Sequence, residues 1–311
     1  MGGSDLLSRA MPPSEDAYNA AISHLGLSSL STTEQIKALH TIPAMDLLSK
    51  IPPSVHFGPV HDNDLIKHLS TFTSISTTSP PLPATSWLKS IVIGDSAHDG
   101  SILSLFLNGR KSNISQTFQS SLTSSLGAAS ANKLFSAYGL TPTSSDEDAY
   151  AKILSFGNDI AFYAPSMAYA RHFLSAPDSA TDGRVYTFRF NATNPWDGPL
   201  KGQSNHILDV AFLFQNYNKF LSEGQNAVAE AFADRVLAFV GGKEPWKRWD
   251  VPENKEVAPK DKATLVVSDG GCEEKIDCAP PNGRRFEFWQ LEQEIGTQRL
   301  EDAWGAFMMG K

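Results

Sequence analysis

Cysteine is scarce in this sequence. Only Cys272 and Cys278 occur among 311 residues, too few for disulfides to carry the fold. Their spacing leaves a small disulfide loop and two unrelated thiols in a turn-rich segment equally open. No second cysteine pair or histidine cluster stands near them, so no metal site is expected. Dense Lys/Arg blocks are also missing. With 26 basic and 34 acidic residues the formal net charge is -8, which gives the chain no electrostatic reason to seek nucleic acid or an anionic membrane surface. No uninterrupted apolar run is long enough for a membrane span. The opening MGGSDLLSRAMPPSED lacks a basic stretch followed by an apolar core and does not read as a signal peptide. The chain as written therefore reads as cytoplasmic, and secretion stays open for a longer parent. Asn113-Ile-Ser115 and Asn191-Ala-Thr193 have glycosylation spacing and only permit that second reading. Repeats are absent, and no Gly-rich phosphate loop or metal constellation is found, so no cofactor is expected.

What is present is a globular composition, 41% hydrophobic and 19% charged, with length enough to bury a sizeable core. Residues 16–25 predict a helix. Ser31-Thr-Thr-Glu34 has capping-box spacing and predicts another, running through Ile36 and Leu39. The polar, Pro-punctuated stretch 70–86 predicts a loop or an insertion. Leu88 to Ile93 reads as a buried strand ending at Gly94. Residues 115–175 read as mostly helical, with Pro142 and Pro165 as breaks. Arg184 to Phe190 alternates as a strand does. A long helix follows over 226–239, then strands at 263–267 and 285–289, then a closing helix over 291–307. Strands alternate with helices after residue 88, which points to an α/β architecture. About four strands in a chain of this length make a thin sheet for that class.

Two loops carry residues with chemistry. Gly94-Asp-Ser96-Ala-His98-Asp99-Gly100 follows the strand at 88–93. Gly202-Gln-Ser204-Asn-His206-Ile-Leu-Asp209 comes after the strand at 184–190. In open α/β sheets, ligands and reacting groups collect at the carboxyl ends of strands, so Asp99 and His206 are placed to meet there. Acyl transfer needs such a pair: an imidazole to take a proton from a hydroxyl, and a carboxylate to hold the imidazole's tautomer. In the α/β-hydrolase arrangement the order along the chain is Ser, then Asp or Glu, then His, and Asp99 before His206 fits it. The plain reading of each residue alone is an Asp–Gly turn and a surface or helix-capping histidine.

The strand running into GDSAHDGSI resembles the type-B carboxylesterase family, in which the catalytic acid is followed by Gly and Ser, as Asp99 is by Gly100 and Ser101. VYTFRFN, a Pro/Gly loop, and then Gly202, His206, Asp209 and Phe212 resemble that family's catalytic-histidine block. The helix after it, with its FVGGKEPW end at 239–246, is similar too. So is the upstream stretch from Leu25-Gly26 through the helix at 33–41 to Phe57-Gly-Pro-Val-His-Asp62. The resemblance thus runs over nearly the whole chain. It implies carboxylic ester hydrolysis of a small-molecule ester, with His206 as general base and Asp99 as its orienting carboxylate. The family's nucleophile sits in a G-x-S-x-G elbow, and these 311 residues contain none. Gly94-Asp-Ser96-Ala-His98 and Gly202-Gln-Ser204-Asn-His206 come nearest, and both end in His. The expectation is therefore a single incomplete α/β-hydrolase domain over 1–311. Its central sheet would lack its first strands, its serine elbow would lie upstream of residue 1, and it would self-associate through an exposed sheet edge. Two alternatives stand beside it. One is a non-catalytic pseudoenzyme or interaction module. The other is a GDSL-type esterase, because Ile-Val-Ile-Gly-Asp-Ser96 resembles that family's first block with Ser96 as nucleophile. Against it, Gly157-Asn158-Asp159 lacks the intervening residue of G-x-N-D, and no D-x-x-H follows residue 175.

Overall fold

The computed structural model describes residues 15–52, 55, 62–64, 70–77, 87–107, 110–175, 184–249, 263–276 and 283–310. Phe57 to His61 of the upstream motif, and Cys278, lie outside the described residues. The chain divides into two compact units, Leu6–Ser70 and a larger one holding Thr71–Lys311.

The smaller unit contains α1 (Glu15–His24), α2 (Thr32–Thr41) and α3 (Ala44–Lys50). The expected cap at Ser31 forms: its N–H and its hydroxyl both donate to the Glu34 carboxylate, at 2.9 and 2.6 Å. Pro43 ends α2, since the residue before a proline is pushed out of the helical region, and Ile42 is extended at φ -66, ψ 130. The Tyr18 hydroxyl donates to Gln35 Oε1 at 2.7 Å and ties α1 to α2.

The larger unit is built on one four-stranded sheet, with β1 (Ser90–Ser96), β2 (Arg184–Phe190), β3 (Ala263–Ser268) and β4 (Gly271–Ile276) in the spatial order β1-β2-β3-β4. β1, β2 and β3 are parallel, and β4 turns back antiparallel. Around the sheet lie α4 (Phe72–Ser76), α5 (Ile114–Leu126), α6 (Ala128–Ala137), α7 (Asp146–Asn158), α8 (Ala164–Ser175), α9 (Leu208–Phe214), α10 (Glu223–Val240), α11 (Arg284–Ile295) and α12 (Thr297–Met308). A parallel sheet covered on both faces buries both side-chain rows. Accordingly, Ile91, Ile93 and Val185 pack into one core with Phe118, Phe156 and Phe307. Val92, Tyr186, Phe188 and Phe190 pack into a second with Phe212, Phe232 and Leu265. Trp246, at the end of the FVGGKEPW stretch, closes the second core by donating its indole N–H to the Thr187 carbonyl at 2.9 Å. No described helix is long and apolar enough to cross a membrane.

Several expectations are corrected. Residues 285–289 form no strand; they are the first turns of α11. The alternation Phe286, Phe288 is also met by a helix that buries Arg285, Phe288, Leu291, Glu292 and Ile295. Two of those five are charged and hide the apolar period. The closing helix is two helices, parted at Gly296 with φ 94. Within 70–86, Phe72–Ser76 is a helix with Phe72 and Ile75 buried, and Thr71 accepts the Ser74 N–H as its cap. Pro165 does not break its helix: it follows the π-turn Asp159–Tyr163, from which α8 runs on without a break. Cys272 lies on the unforeseen strand β4 as a free thiol, and burial pushes that thiol up.

Gly94 of β1 stands opposite Phe188 of β2 with no room for a side chain. A Cβ there would lie 2.1 Å from the Phe188 carbonyl oxygen and 2.6 Å from its ring. Backbone on a paired strand has little freedom to yield, so Gly94→Ala is expected to cost about 3 kcal/mol or more, the upper end for overpacking. Urea unfolding of the two proteins checks this: the midpoint falls with no change in slope.

Candidate functional site

The parallel register aligns Ser90 with Arg184 and Ser96 with Phe190, so β1 and β2 finish level. Their exits are then stitched together. Ala97 N–H donates to the Phe190 carbonyl and His98 N–H to the Ser204 carbonyl, each at 2.9 Å. The second loop returns to this point because it folds back on itself. Gly202 N–H donates to Asn194 O at 2.8 Å, and Asn194 N–H to Gln203 O at 3.0 Å. Gly202 takes φ 77 to do so, a conformation that favours glycine. Ser204 is buried, and its hydroxyl donates to the Phe190 carbonyl at 2.6 Å.

This stitching brings Asp99 and His206 together. His206 Nδ1 lies 2.8 Å from Asp99 Oδ1. The other carboxylate oxygen accepts the Ser96 N–H at 2.6 Å, and Asp99 is buried. A carboxylate accepts only, so the proton between the two sits on Nδ1. In the neutral imidazole that leaves Nε2, across the ring, as the acceptor, the tautomer a general base needs. The Phe162 ring meets the imidazole edge-on, 5.4 Å between centroids. The His206 side chain keeps 21% of its surface exposed.

Asp209, three residues beyond His206, is buried at the start of α9. Burial and the neighbouring negative charge of Asp99 push its carboxyl above the usual range. His98, beside Asp99, is pushed the other way, down, by burial and by the Arg284 guanidinium. Ser96 occupies the last position of β1, buried in regular strand pairing with Phe190. An elbow serine instead stands on a sharp strand-to-helix turn with its hydroxyl exposed. Phe212 is core, 5.2 Å from Phe190. Phe214 and Tyr217 are exposed, with Tyr217 against Trp196. Among the described residues no group of three or more His, Cys, Asp or Glu could hold a metal ion.

Three contributors are not evident in the sequence. Asn158 Oδ1 accepts the Gly100 N–H at 2.8 Å. Phe162 walls the imidazole. Ile207 adopts φ 71, the left-handed region, which is unusual for a β-branched residue and typical of strained functional positions. The first two act across many residues of sequence. The third had a local sign only in its place between His206 and a helix start.

A family model described as the carboxylesterase family matches residues 1–278, across both compact units. Among solved structures, PNB esterase is similar at 19% identity and a TM-score of 0.54, covering 87% of this chain and 54% of its own. Geobacillus stearothermophilus carboxylesterase EST55 gives 18% identity and 0.55, over 84% and 52%. Aspergillus niger EstA gives 14% identity and 0.55, over 95% and 58%. The chain thus spans a little over half the length of each. The likeness shows the fold, a part of the α/β-hydrolase arrangement with a mixed four-stranded sheet. No curated protein matches the sequence.

Two outcomes are expected at this site. Ile207→Gly should stabilise the chain by about 1 kcal/mol, the left-handed penalty for an L-residue, because its side chain is 56% exposed and gives up little burial; thermal unfolding measures it. Asp209→Asn should raise the melting temperature at pH 7, with a gap that narrows toward pH 4, near the ordinary value of 3.8. The sign follows from linkage. A carboxyl whose pKa is raised by folding stabilises the fold while protonated and loses that contribution as pH rises through the raised value. Melts from pH 4 to 8 check it, and an offset constant across that range would contradict it.

Proposed function

Because the chain belongs to the carboxylesterase family, we propose that it supplies the acid and base of a serine esterase, Asp99 and His206, to a serine carried by polypeptide other than these 311 residues. The observation that carries this reading is the 2.8 Å contact between His206 Nδ1 and Asp99 Oδ1 at the level ends of adjacent parallel strands. In the proposed reaction His206 Nε2 takes the serine hydroxyl proton as the oxygen attacks the ester carbonyl. The imidazolium formed is stabilised by Asp99, and the proton passes to the departing alkoxide, which leaves as the alcohol. Water, deprotonated by the same Nε2, then attacks the acyl-serine; as its C–O bond breaks the imidazolium returns that proton to the serine oxygen, and the carboxylic acid is released. The substrate class is a carboxylic ester; no cofactor takes part in these steps. The same reading expects β1, outermost among the described strands, to pair through its outer edge with another strand, and in isolation to self-associate there.

By itself the 311-residue chain should hydrolyse short p-nitrophenyl esters no better than its His206→Ala variant. A well-placed base contributes about 10²–10⁴-fold, but it needs a nucleophile to deprotonate. A fluorophosphonate probe should leave the chain unlabelled; stoichiometric labelling at Ser96 would overturn this reading in favour of a GDSL-type esterase. The location of the serine is tested by the transcript upstream of Met1. An in-frame G-x-S-x-G, and esterase activity in the longer product that falls about 10³-fold or more in His206→Ala, carries the proposal. Without such a motif, the non-catalytic interaction module takes its place.

A further inference from the structure

The loop that carries Asp99 is held from outside by residues the family match does not reach. Arg284 and Arg285 open α11, just past the matched segment 1–278. Arg284 forks between two partners. Its Nε lies 2.9 Å from Asp159 Oδ2, and its Nη2 donates to the Ala97 carbonyl at 3.2 Å. Asp159 is fully buried, and its Oδ2 also accepts the Tyr138 hydroxyl at 2.8 Å. Arg285 Nη2 donates to buried Asp95 at 2.5 Å, and its guanidinium stacks 4.4 Å over the Tyr163 ring. On the other flank Asn158, the neighbour of Asp159, takes the Gly100 N–H. Gly100 is locked there, because a Cβ would stand 2.4 Å from the Leu154 carbonyl oxygen. Asp95, Ala97 and Gly100 bracket Asp99 on both sides, so Arg284, Arg285 and Asn158 hold the carboxylate's loop from the helical side, opposite the His98–Ser204 bond that ties it to the His206 loop.

We propose that Arg284 and Arg285 are positioning residues for the Asp99–His206 pair, a role that rests on the acid–base reading above. Neither touches the imidazole. Each pins a backbone or strand position beside Asp99, so that the carboxylate oxygen stays in hydrogen-bond reach of Nδ1. Stability alone does not call for this arrangement. Taking a charged pair out of water costs several kcal/mol per ion, and apolar residues of equal volume often serve as well or better. What an arginine adds is direction: a planar fork that reaches two acceptors at fixed angles, where a lysine offers one flexible point charge.

The test uses the proton on His206 Nδ1. Donated to Asp99, it should give a downfield resonance in the proton NMR spectrum of the 311-residue chain, assigned by its loss in His206→Ala. Arg284→Lys keeps the charge opposite Asp159 but gives up the Ala97 carbonyl. It is expected to stay folded and to lose the resonance, or to exchange that proton with water at least tenfold faster. Arg285→Lys should act in the same direction. Arg299→Lys, at an exposed position on α12, should leave the signal as it is. If Arg284→Lys fails to fold, the Arg284→Gln, Asp159→Asn pair, which leaves no buried charge alone, is read in its place. A folded variant with the resonance and its exchange rate unchanged overturns the positioning role while leaving the acid–base reading intact. A wild-type chain without the resonance overturns the acid–base reading itself, and this proposal with it.

Discussion

Everything about the site depends on the lateral pairing of β1 with β2. Seven consecutive residues are in register, from Ser90 opposite Arg184 to Ser96 opposite Phe190, and both strands stop at the same height. Parallel strands joined by a long crossover have no turn to set their offset, so side-chain packing must set it. It does so through the pocket at Gly94, the only β1 position with no side chain, against which the Phe188 ring and carbonyl lie. A slip of one residue would send Tyr186, Phe188 and Phe190 to the opposite core. It would also move the Asp99 loop by about one strand step of 3.3 Å relative to the His206 loop, more than a hydrogen bond tolerates.

The two cores do different work. The one that holds Phe118, Phe156, Trp304 and Phe307 is a set of rings in edge-on and tilted contact, and it fixes α5, α7 and α12 behind β1. The other fills the space between β2 and α10 with Phe188, Phe190 and Phe232. Between the first core and the site lies a layer of buried polar groups: Asp95, Asn158, Asp159, Arg285 and, partly exposed, Arg284. Removing one member of such a pair typically costs 3–5 kcal/mol because its partner stays buried and charged. The layer therefore resists piecemeal change.

Much of this was legible from sequence where the signal is local. β2 shows itself by alternation and α10 by its period, although the helix begins at Glu223, three residues before the expected start, behind a Ser222–Gln225 cap. Asp99 and His206 stand out because each follows a strand, and the structure joins them 2.8 Å apart. The misses share a cause. Arg285 and Glu292 face inward on α11 because their partners, Asp95 and Arg171, lie far away in sequence. With charged residues on the buried face, the helix period disappears and Phe286–Phe288 looks like a strand. β4 escaped in the opposite way. Asp269-Gly270 is a good hairpin turn, but the strand after it, Glu273, Glu274 and Lys275, is exposed, as suits an edge that should not recruit partners. Asn158 carries no local sign of its bond to Gly100, 58 residues earlier.

Between α7 and α8 the backbone widens to a π-helix over Asp159–Tyr163, with the Ala164 N–H reaching back to Asp159 O. One residue more than an α-helix would use is spent in that turn. In length the helix is hardly altered; in angle it is, since a single residue accounts for about 100° of rotation. Asp159 at one end of the bulge and Phe162 near the other, facing Arg284 and His206 respectively, belong to a phase that an uninterrupted helix could not offer. Shortening this stretch by one residue would restore ideal helical geometry and yet swing all of α8 around its axis. For this segment length is a heritable constraint in its own right, beside the identity of Asp159 and Phe162, and related chains should tolerate insertion or deletion in the bulge poorly.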